Sequence, residues 1–455
     1  MVKKRQEKFD PVRAAAVEIL MAIESQKRPA DSVIAEMAAN SPFSRLDMRF
    51  LRQLVNGTVK MKRRLDHDIR FFLSKPSATL APNLSNILRL GFYQLFFTDR
   101  IPAPAAVSEA VDLARHFCDN SRARLVNAVM RNALRHPERI QFIDKNIDPV
   151  NHLANKFSYP NWFVSYGLEE FKFEKTAELL EIMNRPPTMS FRVNYLNATP
   201  KEVEDILKGE SMAFTPGRYL KEFYHLEEGA IPPGHNLITE GKIYIQDESA
   251  GMAVRLLNPR AETSVLDMAA APGGKALYAA SRMRNRGMIT ALDKSRPRLE
   301  MMLENIKRQG VTIINTVHAD NLEFKGKTFD RVIIDVPCSG WGNAGKHSDL
   351  RWLKNRQDVD RLFKIQSMMI DRAAKLVRPG GILVYSTCTV IRKENDQVIE
   401  EFLIRRKDFE LESAGQYFDD EVVSERGFLK TYPNIDKLSG SFAARIKKKL
   451  VSKKK

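Results

Sequence analysis

Two of the chain's three cysteines end apolar, strand-like segments: Asp335-Val336-Pro337-Cys338-Ser339-Gly340 and Tyr385-Ser386-Thr387-Cys388-Thr389. Upstream lies a glycine-rich turn, Asp267-Met268-Ala269-Ala270-Ala271-Pro272-Gly273-Gly274-Lys275. Two thiols, one carboxylate and a ligand loop on one sheet would suit cytosine chemistry. Carbon 5 of cytosine is a poor nucleophile. A thiolate adding to carbon 6 makes it enamine-like, and it can then accept a methyl group. A second thiol or base assists the elimination that frees the enzyme.

A free cysteine is usually a small buried hydrophobe, and Cys118 is read that way. Cys338 stands instead in turn chemistry, and Cys388 among Ser386, Thr387 and Thr389. Polar, loop-borne thiols are better placed for thiolate stabilisation. His347, Asp349, Arg351 and Trp352 follow Cys338 closely. They either line a base or phosphate pocket or order the loop.

In Ala269–Lys275, Gly273 and Gly274 allow close approach of backbone to a ligand. The pattern is neither a Walker loop nor G-x-G-x-x-G. Asp293 stands about 20 residues beyond, where an acid commonly accepts from ribose hydroxyls; it serves equally as an N-cap for a helix from Pro297. Asp320 could hold an adenine amino group. Together these residues suit an adenosine-bearing cofactor with no phosphates to cradle, so S-adenosylmethionine fits better than a dinucleotide.

Such residues need a scaffold. Residues 11–135 read as helices: Val12, Ala16, Ile19, Leu20 and Ile23 share a face, and Leu51, Leu54 and Val55 another. Ser121 is the expected cap of a helix carrying Leu125, Val129 and Met130 inward. Its other face shows Arg122, Arg124, Arg131 and Arg135, a solvated face or an RNA contact. The helical pattern stops near 140–160, and a small α+β module follows to about 235. From about 240, strand candidates at Ser264–Met268, Met288–Leu292, Ile313–His318, Arg331–Ile334 and Ile382–Tyr385 alternate with helices, which implies a mainly parallel sheet covered on both faces. Ligands bind at the carboxyl ends of such strands, where Asp267, Asp293, Asp335 and Cys388 fall.

The chain has 455 residues, too many for one core. With 43% hydrophobic and 28% charged residues it reads as globular and soluble. No apolar run reaches membrane-spanning length, Met1–Arg5 opens no secretory signal, and three cysteines build no disulfide framework, so a cytoplasmic location without membrane or metal is expected. Seventy-three basic against 56 acidic residues give +17, which favours a polyanionic partner. The basic end, Ile446–Lys455, reads as a frayed tail attracting phosphates.

The stretches Gln246–Ala250, Pro272–Lys275, Asp335–Gly340 and Arg378–Cys388 resemble the RNA cytosine-5 methyltransferases of the Fmu/Sun type. Gly91–Leu95, Ile101-Pro102 and Leu125–Arg131 resemble a NusB-like RNA-binding domain, and Asn184–Pro187 with Phe191–Asn194 an RRM-like connector. The combination is similar to bacterial small-subunit rRNA methyltransferases. The resemblance implies a multidomain chain: an all-α NusB-like domain over 1–140, a small α+β RRM-like connector over 141–235, an α/β Rossmann-like methyltransferase core over 236–446 and a basic tail over 447–455. It implies Cys388 as nucleophile, Cys338 assisting release and Asp335 engaging the base near the cofactor. Ala269, Ala270, Ala271, Pro272, Gly273, Gly274, Lys275, Asp293, Asp320 and Asp335 would hold S-adenosylmethionine. The partner would be RNA, small-subunit rRNA ahead of tRNA, and the enzyme a monomer. Trp341, Gly345 and Ser348 depart from the family pattern, leaving the chemistry intact and bearing on RNA contacts. The rivals are a non-catalytic RNA-binding assembly factor, which loss of either special cysteine would have favoured, and a mechanism with Cys338 as nucleophile, as in DNA cytosine methyltransferases.

Overall fold

The computed structural model describes residues 9–39, 41–75, 79–436 and 438–450; the basic opening Met1–Arg5 and residues 451–455 lie outside it. The chain divides into two compact units, Met1–Arg185 with Ala344–Asn355, and Pro186–Asn343 with Arg356–Lys455.

The first unit is helical. Helices Pro11–Gln26, Arg45–Lys60, Pro82–Phe96, Ala103–Phe117 and Asn120–Arg135 bury one apolar set that includes Val17, Ile19, Leu51, Leu54, Ile87 and Met130. Their starts follow cap chemistry: Asp10 accepts from the Val12 amide, and Ser44 and Asp47 form a capping box. The cap of the arginine-bearing helix is Asp119, which accepts from the Arg122 amide at 2.9 Å, and not Ser121. An Asp two residues earlier offers its carboxylate to the same orphan amides, so the helix begins at Asn120. Arg122, Arg124, Arg131 and Arg135 are all exposed. The helical pattern does not stop near 140–160: Pro149–Phe157 and Asn161–Ile182 are helical, the first capped by Asp148 with proline at its first position and the second broken at Lys172, where φ is +62°. The helical unit therefore runs past 140, to Arg185.

Segment Ala344–Asn355 completes this unit and decides the roles left open above. Arg351 is 1% exposed. Its guanidinium lies 3.8 Å over the Tyr159 ring and donates to the carbonyls of Ser158 (3.2 Å) and Met183 (3.2 Å) and to Asn184 Oδ1 (2.7 Å). Trp352 Nε1 donates to the Val59 carbonyl at 2.7 Å, and Asp349 accepts from the Ala30 amide at 2.6 Å. These side chains order the segment. Two of the family departures have packing reasons here. A Cβ on Gly345 would stand 3.1 Å from the Met183 carbonyl, and Ser348 donates to Asn56.

The second unit holds two sheets. Its strands are β1 Ser190–Val193, β2 Phe214–Pro216, β3 Phe223–Leu226, β4 Ile243–Ile245, β5 Ser264–Asp267, β6 Met288–Asp293, β7 Ile314–His318, β8 Phe329–Asp335, β9 Val377–Thr387, β10 Phe409–Glu412, β11 Leu429–Thr431 and β12 Ser441–Lys448. The small antiparallel sheet is ordered β2-β3-β1-β4. The large one is ordered β10-β12-β9-β8-β5-β6-β7, with β11 on β12; β7 to β9 are parallel and β12 is antiparallel to β9. Alternate residues serve opposite faces. Val265, Ile289, Ile333 and Val384 pack with helices Glu248–Leu257 and Gly274–Arg282; Leu266, Leu292, Ile334 and Tyr385 pack with Arg356–Lys375 and Asp396–Arg405. The expected basic tail begins later than residue 447. Lys447 and Lys448 belong to β12, since Ile446 is fully buried and the ladder to β10 continues through Lys448. Among the described residues no helix is long and apolar enough to cross a membrane.

Lys60 is a second cation near Arg351, donating to the Gly345 carbonyl at 3.2 Å. Burial, with Arg351 adding repulsion, lowers its pKa from 10.5 to about 8. Between those values the unfolded chain binds the proton and the fold does not, so this group makes stability rise with pH. Chemical denaturation across that window should show the wild type gaining on Lys60→Met as pH rises. A pH-independent gap would mean the amine is not held as described.

Candidate active site

Asp267 ends β5, Asp293 ends β6, Asp335 ends β8, and Cys388 follows β9. Pairing of Asp335 with Ser386 across β8 and β9 brings both cysteine loops out at one edge of the sheet. They open on a cavity of about 540 Å³. Ala269, Ala270, Ala271, Pro272, Gly274 and Lys275 line it, with Asp293, Asp320, Asp335, Cys338 and Cys388. Gly273 does not line it. At φ +109° it turns the chain into the helix Gly274–Arg282, a conformation that suits glycine.

The two thiols meet: Cys338 Sγ lies 3.2 Å from Cys388 Sγ, and both residues are half-buried and free. With Cys338 donating, this hydrogen bond, followed by burial, pushes the Cys338 thiol well above its ordinary value. The same hydrogen bond lowers Cys388 against the effect of burial, and Lys275 helps. The arrangement yields one thiolate-prone sulfur and one proton-bearing sulfur.

Lys275 Nζ donates to Asp335 Oδ2 at 2.6 Å, and Ser386 Oγ donates to Oδ1 at 3.0 Å. Burial alone would lower the Lys275 pKa; the Asp335 carboxylate outweighs it and the net shift is upward. Lys275 thus stays cationic beside the thiols.

Asp293 lines the cavity, and its oxygens accept from the Ser295 amide (2.9 Å) and from Ala271 of the loop (3.2 Å). It is not the helix cap considered for it: the cap position of Arg296–Arg308 is Ser295, two residues on. Asp320 lines the cavity from an exposed turn, accepting from the Leu322 amide at 2.8 Å. Asp267 is 1% exposed, and its Oδ2 is buried without a hydrogen-bond partner. Burial raises its carboxyl to about 7. Asp267, with its orphaned oxygen, Asp293 and Asp320 offer acceptors that suit a ligand bearing positive charge, hydroxyls and an amino group. This set of acceptors fits S-adenosylmethionine.

Some lining residues escaped sequence reasoning. Gln246, just beyond β4, faces the cavity and accepts from the fully buried Arg192 at 3.0 Å. Lys294 and Arg298 also line it. Their only sequence signal is proximity to Asp293.

A mainly parallel sheet with a glycine-containing, acid-flanked loop and two adjacent thiols at its carboxyl edge is the architecture of a Rossmann-like methyltransferase. The comparisons with known proteins agree. Residues 254–447 match the family described as 16S rRNA methyltransferase RsmB/F, residues 10–135 the NusB family and residues 159–230 the RsmF/B-like ferredoxin-like domain. The Bacillus subtilis (strain 168) protein called probable ribosomal RNA small subunit methyltransferase B is 33% identical, over 96% of this chain and 99% of its own length. The Vibrio cholerae ribosomal RNA small subunit methyltransferase B is 29% identical, over 88% and 91%. A crystal structure of a methyltransferase homolog from Pyrococcus horikoshii is 28% identical with a TM-score of 0.59, over 66% of this chain and 99% of that one. PH0851 shares the fold over 97% of this chain and 100% of its own, with TM-score 0.78 and 22% identity. The chain belongs to the RsmB/F family of 16S rRNA methyltransferases.

The buried acid makes a test of the site. Between pH 3.8 and about 7 the Asp267 carboxyl is ionised in the unfolded chain and neutral in the fold. The native state binds the extra proton there, so stability falls as pH rises through the window. Asp267→Asn should remove that fall, and its thermal unfolding should gain on the wild type towards pH 7. Parallel curves for the two proteins would show that Asp267 is not buried unpartnered.

Proposed function

We propose that this chain methylates carbon 5 of a cytosine in small-subunit rRNA through a covalent adduct of Cys388 at carbon 6. The single observation that carries the reading is the 3.2 Å approach of two thiols beside the Asp335–Lys275 ion pair. A scaffold or a plain RNA-binding protein has no use for it.

The Cys388 thiolate forms the carbon 6–sulfur bond, and the electrons of the carbon 5–carbon 6 bond become available at carbon 5. Asp335, ion-paired with Lys275, turns its carboxylate to the N3 edge of the ring, where it accepts from the exocyclic amino group, and the Lys275 ammonium stabilises the charge that builds on the ring. S-adenosylmethionine, when bound, supplies the methyl group that carbon 5 takes. The loop Ala269–Lys275 with Asp267, Asp293 and Asp320 would hold it. Release needs transfer of the carbon 5 proton to a water molecule, whereupon the C–H electrons re-form the carbon 5–carbon 6 double bond and the carbon 6–sulfur bond breaks to return the Cys388 thiolate. Cys338 assists by hydrogen-bonding the departing sulfur. The target base must leave its stack to reach these groups.

The exposed arginines at 122, 124, 131 and 135 and the net charge of +17 support an RNA partner. Membership of the family supports small-subunit rRNA ahead of tRNA, and a monomer working in the cytoplasm.

Single-thiol variants separate the roles. Cys388→Ala should neither methylate nor form a covalent RNA complex. Cys338→Ala should add to the base and transfer methyl but release slowly, so a protein–RNA adduct accumulates on denaturing, reducing gels with RNA and cofactor. An adduct trapped by Cys388→Ala and absent from Cys338→Ala would reverse the assignment.

A further inference from the structure

Behind the two thiols lies a buried carboxylate that the chemistry above does not use. Glu394 is fully buried, and neutral donors hold its carboxylate. Oε1 accepts from the Ser339 amide at 2.8 Å and from Gln366 Nε2 at 2.9 Å, and Oε2 accepts from the Ser339 hydroxyl. The Ser339 hydroxyl is also 3.0 Å from that of Thr389. Gln366 Nε2 further donates to the Pro337 carbonyl at 3.0 Å.

These contacts flank Cys338 on both sides and reach Cys388 on one. Pro337 and Ser339 flank Cys338, and Thr389 follows Cys388. The neighbouring Asn395 completes the frame: its Oδ1 accepts from Thr387 Oγ1 at 2.6 Å, and its Nδ2 donates to the Thr389 carbonyl at 2.9 Å. Tyr385 Oη donates to the Glu394 carbonyl at 2.6 Å and ties this turn to β9. A buried carboxylate is costly unless every oxygen is satisfied. Burial accordingly raises the Glu394 pKa, and the amide, hydroxyl and Gln366 donors offset that. A frame this dense has few alternative arrangements.

We propose that Glu394 is the positioning residue of the thiol pair: its carboxylate joins the two cysteine loops and holds the sulfurs within hydrogen-bond distance. It touches neither sulfur and acts through Ser339, Gln366 and Thr389. The proposal rests on the two-thiol reading above, but its geometry can be tested without methyl transfer. Gln at 394 keeps the shape. Its oxygen accepts from the Ser339 amide, and its amide donates to the Ser339 hydroxyl, which can accept. Ala leaves the frame empty.

The test measures sulfur spacing and turnover side by side in full-length protein carrying Cys118→Ser. Diamide, a two-electron oxidant, takes two electrons and two protons from the thiols, leaving a Cys338–Cys388 disulfide and its own hydrazine form. The linked peptide is followed by mass spectrometry. Glu394→Ala should slow this closure about tenfold and lower kcat for RNA methylation about 100-fold, as expected for reacting groups held about 1 Å astray. KM for RNA should stay the same, and Glu394→Gln should restore both rates. Wild-type closure in folded Glu394→Ala would overturn the proposal, as would a Gln variant impaired like Ala. If Glu394→Ala fails to fold, Ser339→Ala, which removes one donor to the carboxylate, should slow closure, and a wild-type rate there would overturn it. Slowed closure with intact methylation would leave Glu394 as the spacer and remove the thiol pair from the chemistry.

Discussion

The register between β8 and β9 is the constraint on which the site depends. Asp335 stands opposite Ser386, so the chain leaves β8 into the Cys338 loop at the level where β9 ends before Cys388. A slip of one residue would turn every side chain of one strand to the other face. The register is held from both sides, because Ile333 and Val384 belong to one apolar layer and Ile334 and Tyr385 to the other. Ordinary hydrophobic packing of the sheet thereby sets the separation of two sulfurs.

Charge is distributed around that pair with a clear division. Lys275 is the cation beside the thiols, neutralised in part by Asp335. Asp267, at the start of the same loop, accepts from the Ala269 amide at 3.4 Å through Oδ1, but its Oδ2 has no hydrogen-bond partner and burial raises its carboxyl to about 7. An unpartnered buried acid costs stability in the ligand-free fold. A ligand that supplied a positive group would recover that cost, as the proposed use of S-adenosylmethionine implies.

The helical unit shows a different economy. Arg351 is buried with carbonyl oxygens and an aromatic face around it instead of a carboxylate. A guanidinium presents its donors in a fixed plane, so several carbonyls from separate segments can satisfy it at once. The segment that follows the Cys338 loop is thereby pinned inside the helical unit. Gly345 and Ser348, which differ from the family pattern, belong to this packing, so their identities answer to neighbouring backbone and side chain.

By itself the sequence determined the elements and the chemistry. The alternation of apolar strands with helices carried the parallel sheet, because sheet and helix periods differ and each must bury its own face. The polar settings of Cys338 and Cys388 separated them from Cys118, and the acids at strand ends marked the ligand edge. Helix limits were less legible: Asp119 took the cap expected of Ser121, and helices at 149–157 and 161–182 lay where the pattern seemed to stop. Local patterns compete there, and packing decides between them. The tertiary structure alone decided the rest. The 3.2 Å sulfur contact, the orphaned oxygen of Asp267, the burial of Glu394 against both cysteine loops and the engagement of Arg351 with Tyr159 join residues far apart in the chain. Such contacts leave no spacing in a single sequence, because they arise only when separate elements close on one another and each buried polar group must find its partner.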